Sequence, residues 1–90
     1  MLHITYDPEK NQRNINERGL AFDDVVFFEF ATALIAEDDR KEYGEIRYSA
    51  LGLLDGRVHA LVFTLIPDGI RVISFRKANK REVQRYGTAK

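Results

Sequence analysis

The chain has 90 residues, of which 31% are charged and 44% are hydrophobic, and it contains no cysteine. We expect residues 1–90 to form one domain, and the lack of cysteine excludes disulfides, thiolate metal sites and thiol nucleophiles. The two histidines, His3 and His59, are far apart, so we expect no metal and no cofactor. No segment approaches the ~20 apolar residues of a membrane span, and the first residues lack a signal-peptide pattern, so we expect a soluble cytoplasmic protein.

The charge is divided strongly along the chain. Residues 71–90 contain seven Lys/Arg and one acid, a charge of about +6, whereas residues 1–70 carry about −6. The formal net charge of zero hides this division. A basic C-terminal segment of this kind indicates a polyanionic partner.

The first segments predict a strand followed by a helix. Apolar side chains alternate over residues 2–6, as in a half-buried strand. Asp7 can accept a hydrogen bond from the first turn of a helix, and Pro8 needs no donor there. Gly19 can adopt the left-handed conformation that ends many helices. We therefore expect the helix to begin after Asp7 and to end at Gly19.

The predicted helix has few apolar residues for packing against a core. Three polar residues recur at every fourth position and so share one face, namely Lys10, Asn14 and Arg18. This face either points into solvent or binds a ligand, and the spacing alone leaves both interpretations open.

Residues 21–30 fit two kinds of element. The run from Val25 to Phe28 favours a strand, whereas Asp23 and Asp24 are typical of the first turn of a helix. Residues 33–37 fit a short strand, and we expect the charged residues 38–42 to form a solvated loop.

Residues 45–76 predict a three-stranded meander. Two Asp-Gly pairs, at residues 55–56 and 68–69, separate three alternating segments, which is a strong hairpin signal. A two-residue turn in the first hairpin places Phe63 opposite Tyr48. Because Pro67 lacks an N–H group, we expect the second hairpin to contain a glycine bulge that pairs Ile66 with Ile70.

This register sorts the side chains of the meander onto two faces. The apolar face forms the predicted core and carries Ile46, Tyr48, Ala50, Leu61, Phe63, Leu65, Ile73 and Phe75. The other face is partly polar and carries Glu45, Arg47, Ser49, Thr64, Ser74 and Arg76 among Val58, Ala60, Val62 and Val72. Arg71 falls on the core face, and a shift of one residue would instead put Arg71 beside Arg47 in place of Arg76.

The partly polar face suits a phosphodiester substrate. Arginine binds phosphate oxygens bidentately and stays charged, so Arg47 and Arg76 can stabilise negative charge at phosphorus. If RNA is cut, its own 2′-OH can be the nucleophile, and Glu45 is the carboxylate near Arg47 that can accept the proton. Tyr86 or Lys10 can protonate the leaving oxygen if the helices fold over the sheet. An Arg–Glu pair on a strand is also common as a structural contact, and this alternative stays open.

The last segment predicts a helix with a basic outer stripe. Lys77, Arg81, Gln84 and Arg85 share its outward face, which either is solvated or meets a partner. The residues predicted to bind substrate come from the first helix, the partly polar face and this helix, and they are Lys10, Asn14, Arg18, Thr64, Ser74, Arg81 and Tyr86.

Short motifs follow one another along almost the whole chain. They are Asp7-Pro8-Glu9-Lys10, Asn14, Gly19-Leu20-Ala21-Phe22, Tyr43-Gly44-Glu45-Ile46-Arg47, Gly52, Asp55-Gly56-Arg57, Phe63-Thr64, residues 70–78, Arg81-Glu82 and Tyr86. Each motif is weak alone, but their joint order and spacing are specific. In this order the chain resembles the BrnT family of type II toxins.

The resemblance implies a compact RelE-like α+β fold of order β-α-α-β-β-β-β-α, with an antiparallel sheet and a second helix at residues 22–30. It implies a ribonuclease that blocks translation and is neutralised by a BrnA-like antitoxin, whose DNA-binding part represses the operon. The pair Glu45 and Arg47 and the stretch from Ser74 to Arg76 match motif positions of the family, and these are the expected site.

Two positions depart from the family pattern. Arg18 precedes Gly19 where members commonly have histidine, and Phe75 stands where the strand usually has a small residue. The loss of the histidine removes a side chain that could titrate near neutral pH.

Three functions follow as hypotheses. The first is a metal-independent ribonuclease toxin. The second is a catalytically inert protein-binding module whose basic C-terminal surface holds an acidic or amphipathic partner. The third, a protein that binds DNA directly, ranks last because the sequence has no basic recognition helix with a dimer scaffold.

Overall fold

The computed structural model describes residues 2–89, which form an α+β fold. The elements are β1 (His3–Tyr6), α1 (Pro8–Arg18), two 3-10 helices (Phe22–Phe27 and Phe30–Thr32), β2 (Leu34–Glu37), β3 (Tyr48–Leu54), β4 (Arg57–Ile66), β5 (Gly69–Lys77) and α2 (Lys80–Thr88). The predicted fold class is confirmed, and the RelE-like grouping stays a prediction. Within residues 2–89, no helix has the length and apolar character needed to cross a membrane.

The five strands form one mixed sheet in the order β1-β5-β4-β3-β2. β1 runs parallel to β5, with His3 beside Gly69 and Tyr6 beside Val72, and the other neighbours are antiparallel. The expected antiparallel sheet is therefore wrong at this edge. A parallel pair needs a long connection, which the chain from α1 to β4 provides. Gly69 suits this close pairing because a Cβ there would collide with the His3 carbonyl group.

α1 begins and ends where the sequence predicts, and polar side chains hold it in place. Asp7 accepts a hydrogen bond from the Glu9 amide at 3.0 Å, and Gly19 ends the helix with a φ of 67°. None of the α1 residues is buried. Instead, the side-chain amide of Asn14 donates to the Phe75 carbonyl at the edge of β5 at 2.8 Å. Hydrogen bonding thus compensates for the few apolar residues of α1.

Residues 22–30 form 3-10 turns, so the second α-helix implied by the resemblance is wrong. Phe22, Val25 and Phe28 are 2%, 0% and 4% exposed and belong to the main core. Their spacing of three matches the three residues per turn of a 3-10 helix, which puts all three on one face. The Glu29 amide then donates to the Leu53 carbonyl at 2.9 Å and ties the segment to β3.

The hairpin of β3 and β4 has the predicted register throughout. The hairpin of β4 and β5 differs at its turn, where Ile66 pairs with Gly69 and not with Ile70. The irregularity lies within the strands, between Val62 and Phe63, and Ile73 is the extra residue of β5. The glycine bulge expected at the turn is therefore wrong, because the extra residue is placed further along β5.

This bulge changes which residues of β5 face the core. Val72, expected on the partly polar face, is 1% exposed in the core. Arg71 lies opposite Thr64 and therefore on the partly polar face, so its predicted place on the core face is wrong. Arg76 lies on the same side, opposite Ala60, as expected. We call this side the polar face, and it carries Ser49, Val62, Thr64, Arg71, Ser74 and Arg76.

Two apolar clusters stabilise the fold. The main core lies between the other sheet face and the 3-10 helices, and it contains Leu20, Phe22, Val25, Phe28, Ala50, Leu61, Phe63, Ile70, Val72 and Phe75. A smaller cluster forms where α2 packs on the polar face, and it contains Leu51, Ala60 and Tyr86. Ile46 and Leu65, expected in the core, are 57% and 61% exposed because they lie toward the strand ends beyond this packing.

Candidate active site on the polar face

An arginine–glutamate cluster lies at one end of the polar face. The Nη2 atom of Arg71 donates to both carboxylate oxygens of Glu45 at 2.9 and 2.8 Å. The Nε atom of Arg47 donates to the same carboxylate at 3.2 Å. The side chains of Glu45, Arg47 and Arg71 are 30%, 23% and 44% exposed, so a ligand can reach them. Two guanidinium groups share one carboxylate, which leaves an excess of positive charge. We call these three residues the Glu45 cluster.

Neighbouring groups fix the position of Arg47. Its guanidinium carbon lies 4.1 Å from the centroid of the Tyr43 ring, which is a cation–π contact. The Tyr43 hydroxyl in turn donates to Asp38 at 3.3 Å. Thr64 on β4 donates to the carbonyl of Ile46, the residue between the two cluster members, at 2.8 Å. The backbone and the ring together hold the cluster at the end of the sheet.

A second ion pair occupies the other end of the polar face. Arg76 donates to both carboxylate oxygens of Glu82 at 2.8 and 2.9 Å. Glu82 also accepts from the Asn79 amide, and the Asn79 side chain accepts from the Glu82 amide, which forms a capping box at the start of α2. The hydrogen bonds from Arg76 lower the pKa of Glu82 from its usual value of 4.5 to about 2, and Glu82 raises the pKa of Arg76. Arg76 thereby helps to hold α2 on the sheet.

The structure does not bring the three predicted catalytic residues together. Glu45 and Arg47 contact Arg71, which lies opposite Thr64 of β4. Arg76 is four β4 positions away, which corresponds to about 13 Å along a strand. The catalytic roles of all three stay predictions, and the geometry divides them between two locations.

Three of the predicted substrate-binding residues also lie on or above the polar face. Thr64 supports the Glu45 cluster through its hydrogen bond to Ile46. Tyr86 is 7% exposed and packs with Ala60, at the end of the face that holds the second ion pair. Arg81 is exposed on α2. Tyr86 is thus placed away from the Glu45 carboxylate with which it was expected to work.

The other four predicted substrate-binding residues lie together. Lys10, Asn14, Arg18 and Ser74 line a cleft of about 200 Å³ between α1 and the edge of β5. Ser74 follows Arg71 by three residues, about 10 Å along the strand. A short single strand of nucleic acid can therefore reach both this cleft and the Glu45 cluster. Within residues 2–89, no group of three His, Cys, Asp or Glu side chains is arranged to hold a metal ion.

Comparison with protein families shows the class to which this surface belongs. A family model described as the ribonuclease toxin BrnT of type II toxin–antitoxin systems matches residues 6–82. The chain belongs to this family. The resemblance seen in the sequence is confirmed, and both ion-pair groups of the polar face lie within the matched residues. A search of curated proteins found no match.

In this BrnT chain, Arg71 is the site residue that the predicted register misplaced. A signal for its true position is present in the sequence, since Ile70 and Val72 flank Arg71 and are both apolar. Side chains alternate along a strand, so two buried neighbours put Arg71 on the opposite, polar face. The bulge at Ile73 lets this pattern coexist with a buried Phe75.

Proposed function

We propose that this protein is the toxin of a type II toxin–antitoxin system, a metal-independent endoribonuclease that cleaves RNA, inhibits translation and is neutralised by a BrnA-like antitoxin. The observation that carries the proposal is the accessible Glu45 cluster in a chain of a ribonuclease toxin family. An RNA substrate makes the cytoplasm the proposed place of action.

The two guanidinium groups of the cluster bind the scissile phosphate. Arg47 and Arg71 offer planar forks of donors that match phosphate oxygens, and their charge does not depend on pH in the physiological range. They stabilise the negative charge that develops on these oxygens in the transition state. The phosphate competes with Glu45 for the same donors, and this competition frees the carboxylate for proton transfer.

Glu45 acts as the general base of the proposed reaction. It accepts the proton of the RNA 2′-OH while the 2′-oxygen forms a bond to phosphorus and the bond from phosphorus to the 5′-oxygen breaks. The products are a 2′,3′-cyclic phosphate and a 5′-hydroxyl, whose proton comes from water. The scheme uses no metal ion because the arginines neutralise the phosphate and RNA supplies the nucleophile.

The cleft beside α1 extends the RNA-binding surface. Lys10 and Arg18 line this cleft with Asn14 and Ser74, at a distance of a few strand residues from Arg71. Their cationic side chains attract the phosphates that flank the scissile bond. The proposed substrate is therefore single-stranded RNA that crosses the edge of β5.

The decisive experiment measures cleavage of a short single-stranded RNA, both free and in a translating cell extract. We expect the purified wild type to produce cyclic-phosphate ends in the presence of EDTA and to leave the 2′-deoxy version of the same strand intact. Glu45→Gln is expected to reduce the cleavage rate by about 10²–10³-fold, since it removes the base and keeps the side-chain volume. Glu29→Gln, at another exposed glutamate, serves as the matched control.

The outcomes separate the parts of the proposal. Equal cleavage by Glu45→Gln and wild type would remove Glu45 as the base. Loss of activity with EDTA would remove metal independence. A wild type that cleaves RNA in neither setting would overturn the ribonuclease proposal and favour the inert binding module.

A further inference from the structure

A groove on the polar face lies between β2 and α2. It has a volume of about 720 Å³ and reaches Arg76 at the end of the face away from the Glu45 cluster. Its floor is apolar and contains Leu34, Leu51, Ala60 and Val62, of which Leu34 and Val62 are only partly buried. We call this surface the α2 groove.

The two walls of the α2 groove carry opposite charges. On the α2 side lie Arg81 and Arg85, which are four residues apart and therefore share one helix face. On the β2 side lie Glu37 and Asp39, which are exposed. In the part of the chain that the structure describes, none of these four side chains forms an ion pair within 4 Å. All four charges are available to a partner.

This charge pattern disfavours RNA as the occupant of the groove. The described lining holds four arginines and four acids, so it has no excess of positive charge. Phosphates that approach Arg81 and Arg85 would lie in the same groove as Glu37 and Asp39, and like charges repel. RNA also gains little from an aliphatic floor. The Glu45 cluster, with two cations for one carboxylate, is the better place for a polyanion.

An amphipathic helix fits the same pattern in full. Its apolar stripe would cover the floor, and acidic and basic residues on its two flanks would face the basic and acidic walls. A type II toxin has an antitoxin as its protein partner, so the antitoxin is the source of such a helix. Complementary charges on both walls also fix the direction in which the helix lies.

We propose that a helix of the antitoxin binds in the α2 groove. Its apolar stripe packs on Leu34 and Val62, its acidic flank pairs with Arg81 and Arg85, and its basic flank pairs with the acids of the β2 wall. This inference rests on the proposed function, because it takes the antitoxin as the partner. It assigns RNA and antitoxin to two ends of one sheet face.

The experiment uses two charge reversals, Arg81→Glu/Arg85→Glu and Glu37→Lys/Asp39→Lys. Binding is measured by titration calorimetry with the antitoxin encoded in the reading frame next to the toxin gene, and separately with the single-stranded RNA. We expect each double variant to raise the Kd for the antitoxin by about tenfold or more, since each makes one wall repel its flank of the helix. The control Glu9→Lys/Glu29→Lys makes the same change in charge outside the groove, and we expect a less than about twofold effect from it.

The acid-to-lysine variant separates the two occupants. If the groove binds RNA, Glu37→Lys/Asp39→Lys tightens RNA binding and leaves antitoxin binding unchanged, and the inference fails. It also fails if both reversals bind the antitoxin as wild type does. Cleavage of free RNA by the same samples, together with urea unfolding, tests the proposed function and the fold independently. A wild type that binds antitoxin but does not cleave RNA would sink the ribonuclease proposal alone.

Discussion

The polar face carries two arginine–glutamate groups about 13 Å apart, and their surroundings differ. In the Glu45 cluster, Arg71 is 44% exposed and shares the carboxylate with Arg47. In the second group, the Arg76 side chain is 34% exposed and pairs with Glu82, which is only 15% exposed and also caps α2. The first group is open and has a surplus of cations, whereas the second is balanced and built into a helix start.

This difference shows that the type of residue pair does not define its function. A phosphate can replace a carboxylate that is shared and partly solvated at modest cost, because surface ion pairs contribute little stability. Displacing Glu82 from Arg76 would also break the capping box of α2. We therefore expect the open group to serve catalysis and the closed group to serve stability, and three further experiments test this division.

The largest expected effect is on RNA cleavage. Arg71→Ala is expected to lower the cleavage rate by about 10²-fold, because it removes one donor to the charge that develops on the phosphate. Arg76→Ala is expected to retain the rate within about threefold once the folded fraction is taken into account. Arg57→Ala, at an exposed arginine in the first hairpin, is the control. The reverse result, with Arg76 essential and Arg71 dispensable, would restore the catalytic role first predicted for Arg76.

The next effect is on the free energy of unfolding, measured in urea. Arg76→Ala is expected to lower it by about 2 kcal/mol, because the half-buried Glu82 loses two charge-assisted hydrogen bonds. Arg71→Ala is expected to change it by less than ~0.5 kcal/mol. Double-mutant cycles with Glu82→Ala and Glu45→Ala measure the coupling energy within each pair. Equal coupling energies in the two pairs would contradict the division.

The smallest effect is on the acid dependence of stability. The pKa of Glu82 is lowered from 4.5 to about 2 in the folded protein, so its ion pair stabilises the fold fully above pH 4.5. This stabilisation is lost as the pH falls from about 4.5 to about 2, because the unfolded chain takes up the proton first. In thermal or urea unfolding at a series of pH values, Glu82→Gln is expected to show a shallower loss of stability over this range.

A second carboxylate accounts for the slope that remains. Hydrogen bonds from Arg40 lower the pKa of Asp38 from 3.8 to about 2, so Asp38 contributes in an overlapping range. Asp38→Asn added to Glu82→Gln is expected to flatten the slope further. An unchanged slope in Glu82→Gln would show that the Arg76 contact is not closed in solution.

Local signals predicted the parts of the fold that depend on neighbouring residues. Asp7 and Gly19 mark the ends of α1, and the Asp55-Gly56 turn sets the register of β3 and β4. Interactions between distant residues decided the rest. Nothing near His3–Tyr6 in the sequence specifies a parallel partner, and the core selected the 3-10 spacing at residues 22–28 over the α-helix.

The site was predictable to the same extent. The contact of Glu45 with Arg47 follows from their spacing on one side of a strand, and the structure contains it. Arg71 depended on a bulge, which has no strong sequence signal. The engagement of Arg76 had an overlooked signal, because Asn79 followed three residues later by Glu82 is the pattern of a capping box.

The parallel pairing of β1 with β5 has a consequence for synthesis on the ribosome. β1 is the first of the described strands to be translated, but the strand with which it pairs begins only at Gly69. Thr5 lies beside Arg71 in this pair, so the strand that completes the sheet also brings the missing cation of the Glu45 cluster. Contacts this distant in sequence form late. A nascent chain therefore completes its sheet and its cluster in one step, after most of the protein has been made.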